Sequence, residues 1–559
     1  MGSPVRIDVL GWSDTLADYG LFLVMAYLTK WWEFNFRHAA AIVNVFWGFT
    51  AILPIPIRFF RNCKSIPDRW MVFIPNLAYS LGLGLLLFSS LEKKHKDIKV
   101  REKQMTSFYA SLPLIAVAKS GYVISLQKLI DDEIHGVVDI VKHKSMRIGV
   151  TFLINILGLT ISYLMKQWST RFEIPALCMA VATLIFLTGF RSYGRESTGL
   201  FTKLCNIVLK LLIKIVNLMN AVLDFCKNIA FCPLRLLCCC FFKKTQESEQ
   251  NNDTISRIDA TKFIISLFPI CLLGLISSLG NTYFLEQAYS MNQKIGFFKV
   301  PYVLLLSMYK LGNYLLPKLY FETVDSCVPS CCTSLKKALN RIGMVLSLLC
   351  ALLCCVIAGG VESKRIEMTK GESPVEMHML YLVPQFFLLG GLYGLAFESI
   401  ERFFKDHQTP QSLEPYMVDS TVGVFGLGNI GSVLLVYLVS KYTAKNGTSW
   451  FDKTINTSRL DKYYWLLSVW ITINIVWYLL VSILCRPKEK SATPPRSSNE
   501  KEKEDLCHSL AKLARKCCIF LKCLPEKVPD CCCFSCCCCC CSNSGDPRKN
   551  NYRAEQLAT

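Results

Sequence analysis

Apolar residues run along this chain in blocks of roughly 20, the length a helix needs to cross about 30 Å of hydrocarbon. Blocks at 15–32, 38–57, 70–90, 107–127, 146–165 and 172–190 predict six spans before a long interruption. A second set follows at 261–284, 299–320, 341–360, 378–398, 419–441 and 461–484. An even number of spans places both termini on one side. The stretch 191–260 separates the halves, and Lys203, Lys210 and Lys214 punctuate an otherwise apolar run within Ser197–Asp224. That pattern predicts a basic amphipathic helix on the membrane face, with one more span as the alternative. From about 486 the chain is rich in Lys, Glu, Ser and Pro, the composition of a disordered tail.

Composition fits a polytopic membrane protein. Of 559 residues, 52% are hydrophobic and only 19% charged, against about 25% charged in soluble domains. Mean hydropathy is +0.34. A soluble enzyme, a secreted disulfide scaffold and a nucleic-acid binder are excluded, despite a formal charge of +20. The basic excess is a topology signal, because Lys and Arg collect in cytoplasmic loops and meet anionic lipid there. Arg58, Arg61, Lys64 and Arg69 follow span two, and Lys142, Lys144 and Arg147 precede span five, so cytoplasmic termini are expected. The lysine-rich loop 93–103 dissents, since it would lie outside. No cleavable leader is expected, because the first ten residues are mixed and lead directly into the first apolar block. The sequons at Asn446 and Asn456 fall in the loop between spans eleven and twelve, on the expected outer side.

Several ordered blocks then become familiar. Ala-Ala-Ala-Ile-Val-Asn-Val-Phe-Trp-Gly (39–48) resembles the second span of plant nitrate/peptide transporters, the proton-dependent oligopeptide transporter branch of the major facilitator superfamily. Thr-Tyr-Phe-Leu-Glu-Gln (282–287) with Phe-Lys-Val-Pro (298–301) resembles the start of their second half. Arg-Ile-Gly-Met (341–344) with Val-Glu-Ser-Lys-Arg (361–365) resembles their ninth span, and Leu-Val-Pro-Gln-Phe-Phe-Leu-Leu-Gly (382–390) their tenth. Trp450, Leu460-Asp461 and Tyr-Tyr-Trp-Leu-Leu (463–467) resemble the entry to their last. The resemblance runs from about 8 to 485. It implies an all-α integral membrane protein of the major facilitator fold, with twelve transmembrane helices in two six-helix bundles. The expected division is 1–190 for the first bundle, 191–260 for a cytoplasmic loop, 261–485 for the second bundle and 486–559 for a Cys-rich tail. Binding is expected at the interface of the bundles, which rock to alternate access. Gly82, Gly84, Gly426, Gly428 and Gly431 read as close helix packing or bending.

The family's coupling residues are missing from their usual places. Its Glu-x-x-Glu-Arg motif falls on Gly11, Asp14 and Thr15, so that only Asp14 keeps the chemistry. Asp18 lies one turn on and shares its face. The two aspartates are candidates for a substitute proton site; alternatively Ser13 or Asp14 caps a helix and Asp18 is wetted near the membrane surface. The family lysine of span four falls on Val123, but Lys119 lies one turn earlier on that face. It is either a displaced coupling cation or a side chain reaching an interface. The span-ten carboxylate becomes Tyr393, and Glu398 and Glu401 lie toward the cytoplasmic end. The loop motif after span two becomes 58–69 with Asn62 near its acidic position, leaving the family's ion-pair latch weakened or rebuilt.

Tyr19, Asn44, Lys119, Lys310 and Tyr393 are therefore the cavity candidates, with Asn155 and Asn429 as further polar groups at span depth. The expected function is transport of a small nitrate-, peptide- or metabolite-like solute with proton coupling altered or absent. The alternative is a transport-inactive relative acting as an acylated sensor or scaffold. Expected partners are the bilayer, the solute and protons, with no nucleic acid, no cofactor and no metal. The plasma membrane is the expected location, with the vacuolar membrane as the alternative. The 29 cysteines bunch in ways that cannot all form good disulfides. Cys238, Cys239, Cys240, Cys517, Cys518, Cys531, Cys532 and Cys533, among apolar and basic neighbours, are candidates for reversible acylation, with adventitious metal binding or drift as rivals.

Overall fold

The structure, a computed structural model, describes residues 3–62, 68–91, 98–134, 140–165, 167–188, 269–296, 298–328, 333–369, 377–406, 414–445, 449–452 and 454–484. The proposed amphipathic segment 197–224, Asn446 and all eight acylation candidates lie outside them. The first half comprises α1 (Ser3–Phe22), α2 (Val24–Lys30), α3 (Phe36–Ile52), α4 (Pro54–Asn62), α5 (Asp68–Ser89), α6 (Ile98–Ile134), α7 (Ile140–Leu164) and α8 (Trp168–Thr188). After a helical stretch at 269–277 come α9 (Tyr283–Ser290) and a hairpin of β1 (Lys294–Ile295) and β2 (Phe298–Lys299). Then follow α10 (Leu304–Cys327), α11 (Thr333–Thr369), α12 (Val383–Asp406), α13 (Glu414–Lys445) and α14 (Leu460–Leu484). Nine of the described helices are long and apolar enough to cross a membrane.

Two predicted spans are broken rods. Span one is α1 and α2, interrupted at Leu23, and it begins at Ser3 instead of near 15. Ser13 and Asp14 are thus interior to α1 and cap nothing. Span two breaks between α3 and α4 at Pro54, whose ring removes a backbone donor. Pro75, Pro113, Pro175 and Pro317 sit inside longer helices, where neighbouring helices can accommodate the lost bond.

The early helices pack mainly on one another, α5 against α6 and α8, and α1 against α7 and α8. Among the later ones α12 lies between α10 and α11, and α11 also meets α14. The principal crossing between the two sets is α3 on α13. Its helices approach through Gly48 and Gly426, and a methyl on Gly426 would meet the Gly48 carbonyl oxygen at 2.5 Å. Outward faces carry exposed Phe152, Leu153, Leu184, Leu434 and Ile473, the apolar skin that lipid requires.

A fully buried ion pair fixes one end of the second set. Arg365 donates to Glu362 from Nε at 2.7 Å and Nη2 at 2.8 Å. Gln287 donates to the same carboxylate at 2.5 Å, and Arg365 Nη1 donates to Asn456 Oδ1 at 2.7 Å. The residues resembling family blocks at 282–287 and 361–365 are therefore partners. Tyr463 and Tyr464 are fully buried nearby, packed edge-on against Tyr283, Phe284 and Phe451.

Of the glycines singled out in sequence, Gly82, Gly426 and Gly428 pack closely, whereas Gly84 and Gly431 face open space. The α10–α12 crossing rests on others: a methyl on Gly390 would run into the Tyr309 carbonyl oxygen. Gly390→Ala should therefore destabilise the protein by about 1–3 kcal/mol through overpacking, lowering its melting temperature in detergent. Gly84→Ala should leave that temperature unchanged.

Candidate functional site

Lys119 lies on α6 with 9% of its surface exposed, pointing at α1. Its Nζ donates to Asp14 Oδ1 at 2.7 Å and to Asp18 Oδ1 at 2.7 Å. The i, i+4 spacing of the aspartates puts both on one side of α1, so one ammonium meets two carboxylates. Tyr79 of α5 donates its hydroxyl to Asp14 Oδ1 at 2.9 Å. Asp18 is 30% exposed in its side chain and pairs with Lys119, and Lys119 reaches a neighbouring helix. Removing one partner from such a buried cluster typically costs about 3–5 kcal/mol, because it strands a charge.

Asp18 and Lys119 form part of the wall of a cavity of about 390 Å³. Asn44, Lys310 and Tyr393 line the same cavity, so four of the five cavity candidates come together. Tyr19 stands behind Lys310, whose Nζ is 4.5 Å from its ring centroid. The Tyr19 hydroxyl donates to Asn155 Oδ1 at 3.0 Å and lies 3.1 Å from Ser307 Oγ. Asn44 donates to Ser432 Oγ at 2.9 Å, across from α3 to α13. Tyr393 packs edge-on against Phe425 with ring centroids 5.5 Å apart. The rest of the wall is mainly apolar and aromatic, including Phe22, Trp47, Leu389 and Phe425.

Contacts between the early and late helices bracket this cavity. At the end where α2 finishes, Lys30 meets Glu286 at 3.1 Å, and Thr29 donates to the same carboxylate at 3.0 Å. There too Arg37 donates to Ser440 at 2.6 Å and Arg171 to the Tyr302 hydroxyl at 3.0 Å. At the opposite end the Arg58 guanidinium grips both oxygens of Asp419, from Nε and Nη2. Arg58 is the first residue of the 58–69 motif, so that segment retains an ion pair, which joins α4 to α13. Glu398 pairs with Arg402 at 2.8 Å, and Arg402 also reaches Asp325 at 2.9 Å, a cluster at that end away from the cavity.

Sequence reasoning missed Tyr79, Asp419, Lys30 and Glu286 as parts of this arrangement. Asp419, a carboxylate near the start of an apolar span, carried a usable signal. Tyr79 carried none, because a tyrosine among apolar residues looks like packing.

A charged cavity between two sets of helices, bridged at both ends, is the architecture of a secondary transporter. The profile of the POT family (PTR2) matches residues 147–456. Protein NRT1/PTR family 5.5 of Arabidopsis thaliana is 30% identical over 521 residues, covering 86% of this chain and 97% of that protein. Protein NRT1/PTR family 5.11 of the same plant is 27% identical, covering 85% and 91%. Among solved structures, a POT family transporter in complex with 5-aminolevulinic acid superposes with a TM-score of 0.60 at 13% identity, covering 86% of this chain and 95% of that one. An auto-inhibited POT family peptide transporter gives 0.58 at 16%, covering 88% and 98%. The chain belongs to the POT family, of which the NRT1/PTR proteins are its plant relatives. It is a multi-pass membrane protein of the all-α major facilitator fold, and the family's members are transporters.

The Arg58–Asp419 pair makes one end testable. Arg58→Ala should raise amide hydrogen exchange in 54–62 and in the first turns of α13. Combining Arg58→Asp with Asp419→Arg should bring exchange back toward the original level.

Proposed function

We propose that this protein moves a small solute by alternating access through the cavity lined by Asn44, Lys119, Lys310 and Tyr393, coupled to protons at Asp14 and Asp18. The observation that carries the reading is Lys119 held at 2.7 Å from both carboxylates on the cavity wall. A buried carboxylate that can exchange a lysine for a proton is the chemistry that proton-driven transport needs. Of the family's coupling positions only Asp14 keeps a carboxylate, but Asp18 and Lys119, each one helical turn from an aligned position, complete an acid–base cluster of the same type. Coupling is thus relocated in place, with Asp14 and Asp18 for the paired glutamates and Lys119 for the lysine at Val123.

Proton uptake onto either carboxylate releases one of the two bonds holding Lys119. The freed ammonium and the neutral carboxyl alter the contacts between α1 and α6 on the cavity wall, which is how proton binding reaches the solute site. The acylated sensor or scaffold reading depends on cysteine runs outside the described residues, and no described contact favours it. The Asn456 sequon is likewise proposed as a glycan site, although its amide oxygen already serves Arg365.

The test is uptake into liposomes containing the purified full chain, with nitrate, dialanine and phenylacetate as probes. Acidifying the outside should raise accumulation of the transported probe. Asp14→Asn and Asp18→Asn should flatten that pH dependence while exchange at equal pH persists. Lys119→Ala should lower uptake at least about tenfold, a transition-state loss near 1.4 kcal/mol or more. Folded protein that moves no probe under any gradient would overturn the transport reading.

A further inference from the structure

The two lysines of the cavity are held in different ways. Lys119 has two carboxylates, whereas Lys310 has no acidic group within ion-pairing distance among the described residues. The Lys310 ammonium lies over the Tyr19 ring at 4.5 Å and donates to Asn155 Oδ1 at 3.3 Å. Both partners are neutral, and that oxygen already accepts from Tyr19 at 3.0 Å. An ammonium has three donors, so the arrangement leaves Lys310 with capacity toward the cavity it lines. A lysine at span depth is costly unless something there needs its charge.

We infer that Lys310 receives the anionic group of the cargo, and that the cargo is a monoanion with an apolar body. This rests on the cavity being the transport site proposed above. The charges lining the cavity are Asp18, Lys119 and Lys310, and with Asp14, which stands behind the wall on Lys119, the cluster sums to zero when all are ionised. Adding the coupling proton makes the site +1. A monoanion returns it to zero, whereas a neutral solute or zwitterion leaves +1 and a dianion gives −1. Net charge at the depth of the hydrocarbon is expensive, so the loaded site is best matched by one proton and one monoanion.

The shape of the cavity narrows the class further. A volume of about 390 Å³ falls at the small end of organic-ligand pockets and is far larger than an inorganic anion fills. Phe22, Trp47, Phe386, Leu389 and Phe425 supply apolar and aromatic wall for a hydrocarbon body, and hydroxyls and amides such as Ser277, Asn281 and Asn429 supply neutral polar groups but no further charge. A zwitterion's ammonium would need a carboxylate, and the one lining the cavity, Asp18, is bonded to Lys119. The position where the family places another is the neutral Tyr393. A compact carboxylate with a hydrocarbon or aromatic body matches both the free charge of Lys310 and the aromatic part of the wall.

The geometry also says how such a cargo acts on the protein. Tyr19 and Asn155 belong to α1 and α7, and Lys310 to α10. Drawing Lys310 toward a carboxylate weakens a contact that joins the early helices to the late ones.

Binding to the full chain in lipid nanodiscs tests this without relying on transport. Radiolabelled phenylacetate should bind saturably, and phenylacetamide, of the same shape but uncharged, should compete at least about tenfold more weakly. Lys310→Gln should weaken phenylacetate binding by about tenfold or more, while Lys310→Arg should restore most of it. The melting temperature of each variant establishes that it is folded. Equal competition by the amide, full binding by folded Lys310→Gln, or no phenylacetate binding at all would overturn the inference. So would transport of nitrate or dialanine with phenylacetate excluded, an outcome that leaves the transport reading standing. Conversely, Lys310-dependent phenylacetate binding without flux would support this assignment and remove the transport reading.

Discussion

Inside a hydrocarbon layer an ionised side chain needs its counter-charge within reach, and this requirement decides which helices lie side by side. Lys119 can remain charged at the depth of α6 only if α1 presents Asp14 and Asp18 to it. Tyr79 then brings α5 into the same cluster through Asp14. Three helices are thereby brought together by one ammonium. The same rule operates near the far end of the late helices, where Arg365 is satisfied by Glu362, Asn456 and the Ile455 carbonyl. Helix packing by glycine and proline shapes the bundle, but these charges set its register.

Within the sets lie the fully buried Arg365–Glu362 pair, the Lys119 cluster and backbone approaches such as Gly390 to Tyr309. Between the sets, beyond the Gly48–Gly426 crossing, lie single polar links such as Asn44 to Ser432 and partly exposed pairs such as Lys30–Glu286 and Arg58–Asp419. Lys30 is 36% exposed in its side chain and can exchange its partner for water at modest cost, whereas Asp419 is buried and held by two bonds, the firmer of the two links. Links that can be exchanged are what the proposed rocking of the early helices against the late ones requires. The cavity lies between them, where movement of either body alters its walls.

Much of this was legible in the sequence because hydrophobic length and helical spacing are local properties. The blocks of apolar residues located the described spans. Counting one turn from the family positions found Lys119, and from Asp14 it found Asp18. The start of span one was misplaced because Asp8, Ser13 and Asp14 lower its average hydropathy although they face inward; Asp8 is only 4% exposed. Hydropathy averages record how polar a stretch is and not where the polarity points. The Arg58–Asp419 pair was hidden for another reason. Its members lie 361 positions apart, and only the docking of α4 on α13 makes them neighbours.

The loop that precedes α14 has a consequence for how the protein is made. Asn456 lends its amide oxygen to a buried arginine, and the Ser458 hydroxyl that completes its sequon is 1% exposed. That hydroxyl donates to the Thr454 carbonyl and accepts from the Asp452 amide. Once the loop has closed, an enzyme that must also grip the Ser458 hydroxyl finds it buried and occupied. Any sugar at Asn456 therefore has to be attached during synthesis, in the interval between emergence of the loop and docking of the last helix. Occupancy there would record the speed of that final step, so that slower docking leaves more chains carrying the mark.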